Sequence, residues 1–445
     1  MKDGQTDPKP AIIAQEARSV GEIRDRWSWV EPHVWTDRML TALEEGVKGG
    51  KWYSLFDKVY SPGNLRAAFT KVKANKGKAG VDRQTIGMFE SRLEENLERL
   101  TESLRDGSFR PQAIKRVWIP KPGKREKRPL GIPTIRDRVV QTALRNVLEP
   151  IFEQDFAEQS YGFRPGRGCK DALRCVDALL KEGYTWVVDA DLKSYFDTIN
   201  HSKMINRVKA KIADRTLLAL LTSYLKQRIM ETADGWTPEV GTPQGAVISP
   251  LLSNIYLDPL DHLLASAGFA MVRYADDFVI LCRQEQDALT ALALVERWSA
   301  SVDLLLHPEK TRIVDATEPG GFDFLGYHFE QGLRRPCTKS LTKLKDRIRS
   351  KTRRCNGQSL PAIIVELNRS LVGWFEYFKH GHRHTFPRLD QWIRMRLRSI
   401  LRQRHGGRGR GGGWDHFRWP NAFFAKQGLF SLVKAHALAC QPPRR

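Results

Sequence analysis

Cysteine is sparse in this chain and poorly spaced for metal or cross-links. Six occur in 445 residues, at Cys169, Cys175, Cys282, Cys337, Cys355 and Cys440, and no two form a CxxC pair. Neither a disulfide framework nor a structural zinc site is indicated, and reduced thiols are expected. Long apolar runs are missing as well, so no segment reads as a membrane span. The opening MKDGQTDPKP lacks the charged-then-apolar pattern of a secretion signal, and a cytoplasmic location is expected. GxxxxGK[ST] is also absent, so the Gly-rich stretches are not a P-loop.

Acid is scarce in one region only. Residues 331–445 hold 26 Lys and Arg against 5 Asp and Glu, a net +21. The other 330 residues hold 47 basic and 46 acidic groups, so nearly all of the overall +22 lies in the last quarter. Basic density of that kind calls for a polyanion. Nucleic acid is the expected partner, through phosphate neutralisation, with an anionic membrane as the alternative.

The length allows two to four domains. Residues 1–50 read as a polar leader and a weakly amphipathic helix. Leu93, Leu97, Leu100 and Leu104 mark one face of a further helix. VWIP and RPLGIP read as two short strands joined by a strongly cationic turn, PGKREKR. The run from Val139 to Ile151 has helical spacing, as do residues 203–226. Ser249-Pro250 is a good helix start, and Pro259 should break or kink that helix. Beyond Gln331 the chain becomes helical and basic, with three apolar stripes. HGGRGRGGGW, residues 405–414, reads as a flexible basic linker. The aromatic tail after it should dock back onto the protein. His380, His382 and His384 lack partners at metal-ligand spacing and read as RNA contacts or plain surface.

The chemistry gathers around MVRYADDFVIL, residues 271–281. Two adjacent acids, Asp276 and Asp277, lie between apolar runs that read as buried strand. Neighbouring carboxylates in such a place repel and lose hydration, so a divalent cation would compensate them. A hairpin tip exposing both acids to water is the other option. Asp191, after the apolar WVVDA, supplies a third acid if the two β segments pair. Three carboxylates could hold two Mg²⁺ ions about 3.5–4 Å apart, as phosphoryl transfer requires.

In order, IPKPGKREKRPLGIPTIRDR, SYGFRPGRG, DADLKSYFDTINH, GTPQGAVISPLLSNIYLDPLD, RYADDFVI, HPEKTRIV and FDFLGY resemble the reverse-transcriptase core of group II intron-encoded proteins. LNRSLVGWFEYF resembles the family's thumb, or maturase, domain. The resemblance implies an α+β fold, a right-hand polymerase with fingers and palm followed by a helical basic thumb. It implies an N-terminal extension over 1–50, fingers and palm over 51–330, a thumb over 331–404 and a nucleic-acid-binding tail over 405–445. Asp191, Asp276 and Asp277 match the metal-binding catalytic acids for two Mg²⁺ ions, with deoxynucleoside triphosphates as substrate. Lys121, Arg128 and Lys310 would meet the triphosphate, Phe196 the sugar, and Gln244 and Gly245 the nascent pair. Arg164 and Arg167 would touch the template backbone, and Lys343, Arg347, Arg394 and Arg398 the duplex or a structured RNA. The implied partners are group II intron RNA or another structured template and a DNA primer or target. Monomer and dimer both stay open. A nuclease of the HNH type, which many relatives carry with paired cysteines, is not expected.

Overall fold

The computed structural model describes residues 20–120, 127–230, 235–236, 241, 245–355 and 357–440. Lys121 and Gln244 therefore lie outside the described residues.

Two strands, β1 (Ile114–Pro120) and β2 (Lys127–Ile132), pair antiparallel with Ile119 opposite Arg128. These are the VWIP and RPLGIP runs, the first begun three residues earlier, the second begun one residue earlier and ended one residue sooner. The central sheet contains β3 (Trp186–Asp191). Two short strands, β4 (Ile229–Met230) and β5 (Gly235–Trp236), then continue the first sheet in the order β2-β1-β4-β5, with β1 and β4 parallel. Next come β6 (Ala270–Tyr274), β7 (Asp277–Cys282) and β8 (Arg312–Asp315), which complete the central sheet as β6-β7-β3-β8, antiparallel throughout. A small third sheet holds β9 (Phe322–Phe324), β10 (Tyr327–Glu330) and β11 (Leu333–Pro336).

Val188, Ala190, Phe278 and Ile280 face a large core built with the helices Ile135–Glu153, Ser249–Ser266 and Glu285–Ser301. The intervening Val187, Val279 and Leu281 face a second core with Phe322, Phe324, Tyr327 and Phe329. That alternation is the period of a β-strand, and here both faces are covered. The second core includes Phe378, which ends the helix Leu360–Phe378. Tyr327 Oη donates to Tyr377 O and Tyr377 Oη donates to Leu325 O, both at 2.7 Å. The small sheet thus joins the central sheet to a helical C-terminal region. There, the helices Thr338–Lys351, Leu360–Phe378 and Thr385–Arg404 form a third core, closed by Trp419, Phe424 and Leu432 of the tail.

Several local expectations change. The helix Ser249–Ser266 runs through Pro259 without a break. Leu257, Leu260, Asp261 and Leu264 are buried around it, and that packing carries the chain past the missing hydrogen bond. Residues 203–226 form two helices, His201–Lys209 and Arg215–Leu225, because Asp214 caps the second through the Leu217 amide at 3.0 Å. The 405–414 tract lies against the helix Thr385–Arg404. Gly411 donates to Ser399 Oγ at 2.9 Å, and a Cβ there would lie 2.5 Å from Arg398 Cβ. Glycine therefore serves close approach here, in place of the expected free linker.

Residues 20–45 are not a detached extension. Ile23, Trp27, Trp35, Leu40 and Leu43 belong to the large core, and Trp35 Nε1 donates to Asn146 O at 2.9 Å. Trp35→Ala should lower stability by roughly 3–5 kcal/mol, read as a lower chemical-denaturation midpoint.

Candidate active site and the class of protein

β3 runs antiparallel beside β7 so that Asp191 stands directly opposite Asp277. Asp276 occupies the turn between β6 and β7, one residue away. Asp189, two residues before Asp191, shares the same face of β3. Four acidic residues therefore lie at one end of the central sheet.

Their electrostatics reflect that crowding. Asp277 is exposed by surface area, yet the surrounding protein desolvates its carboxyl, and Asp276, Asp189 and Asp191 add repulsion. Together these push Asp277 up to about 7. Burial, with the Asp191 charge in support, also raises Asp276, against the opposing pull of Arg128 and Arg273. Burial raises Asp189, which Arg312 partly offsets through a contact of 3.3 Å. Lys310 forms an ion pair with Asp191. As the side chains stand, no group of three His, Cys, Asp or Glu among the described residues is gathered as a ready-made metal site. The donor set is nonetheless all carboxylate, which suits a hard divalent cation, and its mutual repulsion favours one.

The turn itself is held from below. Ala275 has φ 60°, a left-handed conformation that a non-glycine residue holds only when its surroundings enforce it. Arg273, fully buried, donates from Nη1 to Ala275 O at 2.9 Å. Its Nε and Nη2 meet both oxygens of the equally buried Asp261, at 2.7 and 2.5 Å. Asn254 and Ser160 accept the remaining bonds. The GFRPG loop presses on the same turn, where a Cβ on Gly162 would collide with the Ala275 amide nitrogen. Neither Arg273 nor Asp261 was singled out from sequence. The available signal was a cation inside MVRYA, a run otherwise read as buried strand.

The other expected residues divide. Arg128 is exposed on β2, and its charge reaches Asp276. Phe196 is half-buried beside Tyr195, with ring centroids 5.2 Å apart. Gly245 has φ +105°, and a Cβ there would lie 2.5 Å from Gly131 O on β2. Its close approach is thus to the hairpin's own backbone. Lys343 and Arg347 are exposed on their helix, while Arg394 is half-buried, 3.9 Å from Asp390.

Two assignments are corrected. Arg164 is buried, with Nε on both Glu153 oxygens at 2.9 and 3.1 Å and Nη1 on Ala157 O and Ser160 O. It holds its loop and is not available to a template backbone. Arg398 is buried too, bonded to Trp419 O and Asn421 Oδ1, both at 2.9 Å, and fastens the tail instead of meeting a duplex. Arg167 is half-buried, with Nη1 on Glu158 O at 2.5 Å.

Residues 119–329 match the family described as reverse transcriptase (RNA-dependent DNA polymerase). With paired acids on a hairpin between helices and a cationic strand pair ahead of them, the fold is that of a fingers-and-palm polymerase, an RNA-directed DNA polymerase by class. Residues 341–417 match the group II intron, maturase-specific domain. Protein YkfC of Escherichia coli K12 is 35% identical over 287 residues, covering 56% of this chain and 74% of that protein. The group II intron-encoded protein LtrA of Lactococcus lactis subsp. cremoris is 37% identical over 212 residues, covering 47% of this chain and 35% of LtrA. The chain belongs to the group II intron reverse transcriptase and maturase family, and spans about a third of LtrA's length. A partial Cas6-RT-Cas1–Cas2 complex is also similar, at 26% identity and TM-score 0.36, over 56% of this chain and 42% of that one.

Arg273→Met should cost roughly 3–5 kcal/mol by stranding the Asp261 charge, and adding Asp261→Leu should recover most of that in denaturant unfolding. The double variant should still extend primers slowly, because Ala275 O has lost its donor. A second check is pH. Asp277 is raised from about 4 in an unfolded chain to about 7, so its protonated form favours the fold. Metal-free protein should lose stability as pH rises from about 4 through 7, and Asp277→Asn should remove part of that loss.

Proposed function

We propose that the protein copies RNA into DNA at the acidic end of the central sheet and binds structured RNA, including its parent intron, through the basic C-terminal helices. The observation that carries this is the register that sets Asp191 opposite Asp277, with Asp276 in the adjoining turn. Asp191, Asp276 and Asp277 are the residues to hold two Mg²⁺ ions, which when bound would activate the primer 3′-hydroxyl and steady the pyrophosphate leaving group.

The chain's own groups do the rest. Arg128, exposed on β2 and felt at Asp276, attracts the triphosphate toward the acids. Lys310 neutralises Asp191 in the free protein and, once released, is placed to meet phosphate. Phe196, half-buried five residues after Asp191, offers a flat ring where a ribose 2′-hydroxyl would clash. Lys121 and Gln244 join the nucleotide site on the strength of the family pattern alone. Gly245 itself lies close against Gly131 of β2. The Arg273–Asp261 pair fixes the turn that presents Asp276.

The thumb region over 331–404 and the tail over 405–445 hold the net positive charge. Lys343 and Arg347 project from its first helix toward solvent and suit phosphate contacts. No helix among the described residues is long and apolar enough to cross a membrane. We place the protein in the cytoplasm.

Purified protein with an RNA template, DNA primer and Mg²⁺ should extend the primer. Asp276→Ala should reduce the rate by on the order of 10³-fold or more while changing RNA affinity by no more than about twofold. Failure of the native protein to extend would reduce it to an RNA-binding splicing factor. Phe196→Ala should raise ribonucleotide incorporation relative to deoxynucleotides by about tenfold, scored on alkaline gels.

A further inference from the structure

We infer that the Gly/Arg tract and the residues just after it, together with a neighbouring arginine-lined cavity, form a binding site for unpaired RNA nucleotides, separate from the polymerase cleft. The inference rests on the RNA-binding function proposed above and names the form of RNA that this surface takes.

The cavity lies between the helices Thr338–Lys351 and Thr385–Arg404 and has a volume of about 230 Å³. Arg349, Arg354, Arg396 and Arg410 line it with Trp392, and no acid does. Arg396 is fixed in place, with Nε on Thr352 Oγ1 at 2.6 Å and Nη2 on Thr352 O at 2.9 Å. Its guanidinium lies 5.4 Å from the Trp392 ring centre, and that of Arg349 lies 5.8 Å from the same centre. Arg349 also meets Asp346 at 2.6 Å, the one acid touching this group among the described residues. Burial, then the Arg349 and Arg354 charges, lower the Arg396 pKa, so the cations strain against each other until an anion joins them. A space of this size admits a phosphate with part of its nucleotide and is too small to engulf a duplex.

Arg410 belongs to the tract, and four residues on stands Trp414. Trp414 is 85% exposed and Phe417 is 80% exposed, with ring centroids 5.7 Å apart. Two large aromatics left open to water beside cations are a stacking platform for bases, and only unpaired bases can use one. The platform is already ordered. Arg402 Nε donates to Arg408 O at 2.8 Å, Gly411 N to Ser399 Oγ, and Gly412 N to Asp415 Oδ2 at 3.0 Å. The acid between the two aromatics, Asp415, is buried and neutralised by Arg402 at 2.8 Å, so it does not oppose a polyanion. RNA is favoured over DNA because both halves of the site fall inside the maturase-specific match, residues 341–417.

The test uses the full chain and three probes, a single-stranded 20-nucleotide RNA, the same sequence as DNA, and the RNA as a duplex. Affinity is measured across a salt series for native protein, Trp414→Ala/Phe417→Ala, Arg349→Gln/Arg410→Gln and, as control, the exposed Arg383→Gln. The aromatic pair should lose about tenfold for single-stranded RNA, with duplex affinity and salt slope little changed. The arginine pair should lower the slope of log affinity against log salt by about 1 to 1.5. All four targets are exposed or partly exposed, and Arg410→Glu, which removes no packing, provides a second charge variant with the same expected direction. Native binding that neither pair weakens would overturn the site and leave the RNA-binding function standing. Tighter binding of single-stranded DNA would overturn the choice of RNA. No RNA binding by native protein would remove both.

Discussion

The buried ion pair between Arg273 and Asp261 is the constraint on which the acidic end of the central sheet depends. Both side chains are fully enclosed. A pair of this kind adds little to stability compared with well-packed apolar side chains of the same size. Its use is positional. One guanidinium spans Asp261 on a helix, Asn254 about two turns earlier on that helix, Ser160 on a loop and Ala275 in the hairpin turn. Helix, loop and turn are thereby fixed to a common point. The left-handed backbone of Ala275 is the local cost of aiming Asp276 where it stands.

Above that support, the structure concentrates negative charge and answers it only in part. Asp189 has Arg312, Asp191 has Lys310, and Asp276 feels Arg128 from across the cleft. Asp277 has no such neighbour as its leading influence and is displaced furthest, to about 7. An arrangement that folded for stability alone would place an apolar or amide side chain at such a point. The incomplete neutralisation leaves net negative charge at that end of the sheet, the pattern of a functional site more than of packing.

Much of this was legible in the chain. The hairpins at VWIP/RPLGIP and MVRY/DFVIL follow from short apolar runs bounded by turn residues, which tertiary packing had no reason to override. Pairing of β3 with β7 follows once two acidic strand ends are required to meet, although Asp277, not Asp276, turns out to be the direct cross-strand neighbour. What stayed hidden has a common physical origin. Arg164 and Arg398 look like surface cations because each is held in part by backbone carbonyls, and carbonyls leave no trace in a sequence. Arg273 needed knowledge of Asp261, which sits beyond Pro259 on a helix that the proline was expected to break or kink and that continues past it. The Gly/Arg tract was misread because glycine that permits flexibility and glycine that permits close contact are the same letter.

The crossed tyrosines between the small sheet and the last turn of Leu360–Phe378 carry a mechanical implication. Tyr327 and Tyr377 each donate a phenol proton to main chain on the opposite side, so the joint is latched from both directions. A latched joint transmits torque. A shift of the helix Leu360–Phe378 would load the small sheet, which shares one core with the sheet that carries the acids, so the basic helices do not swing free of that end.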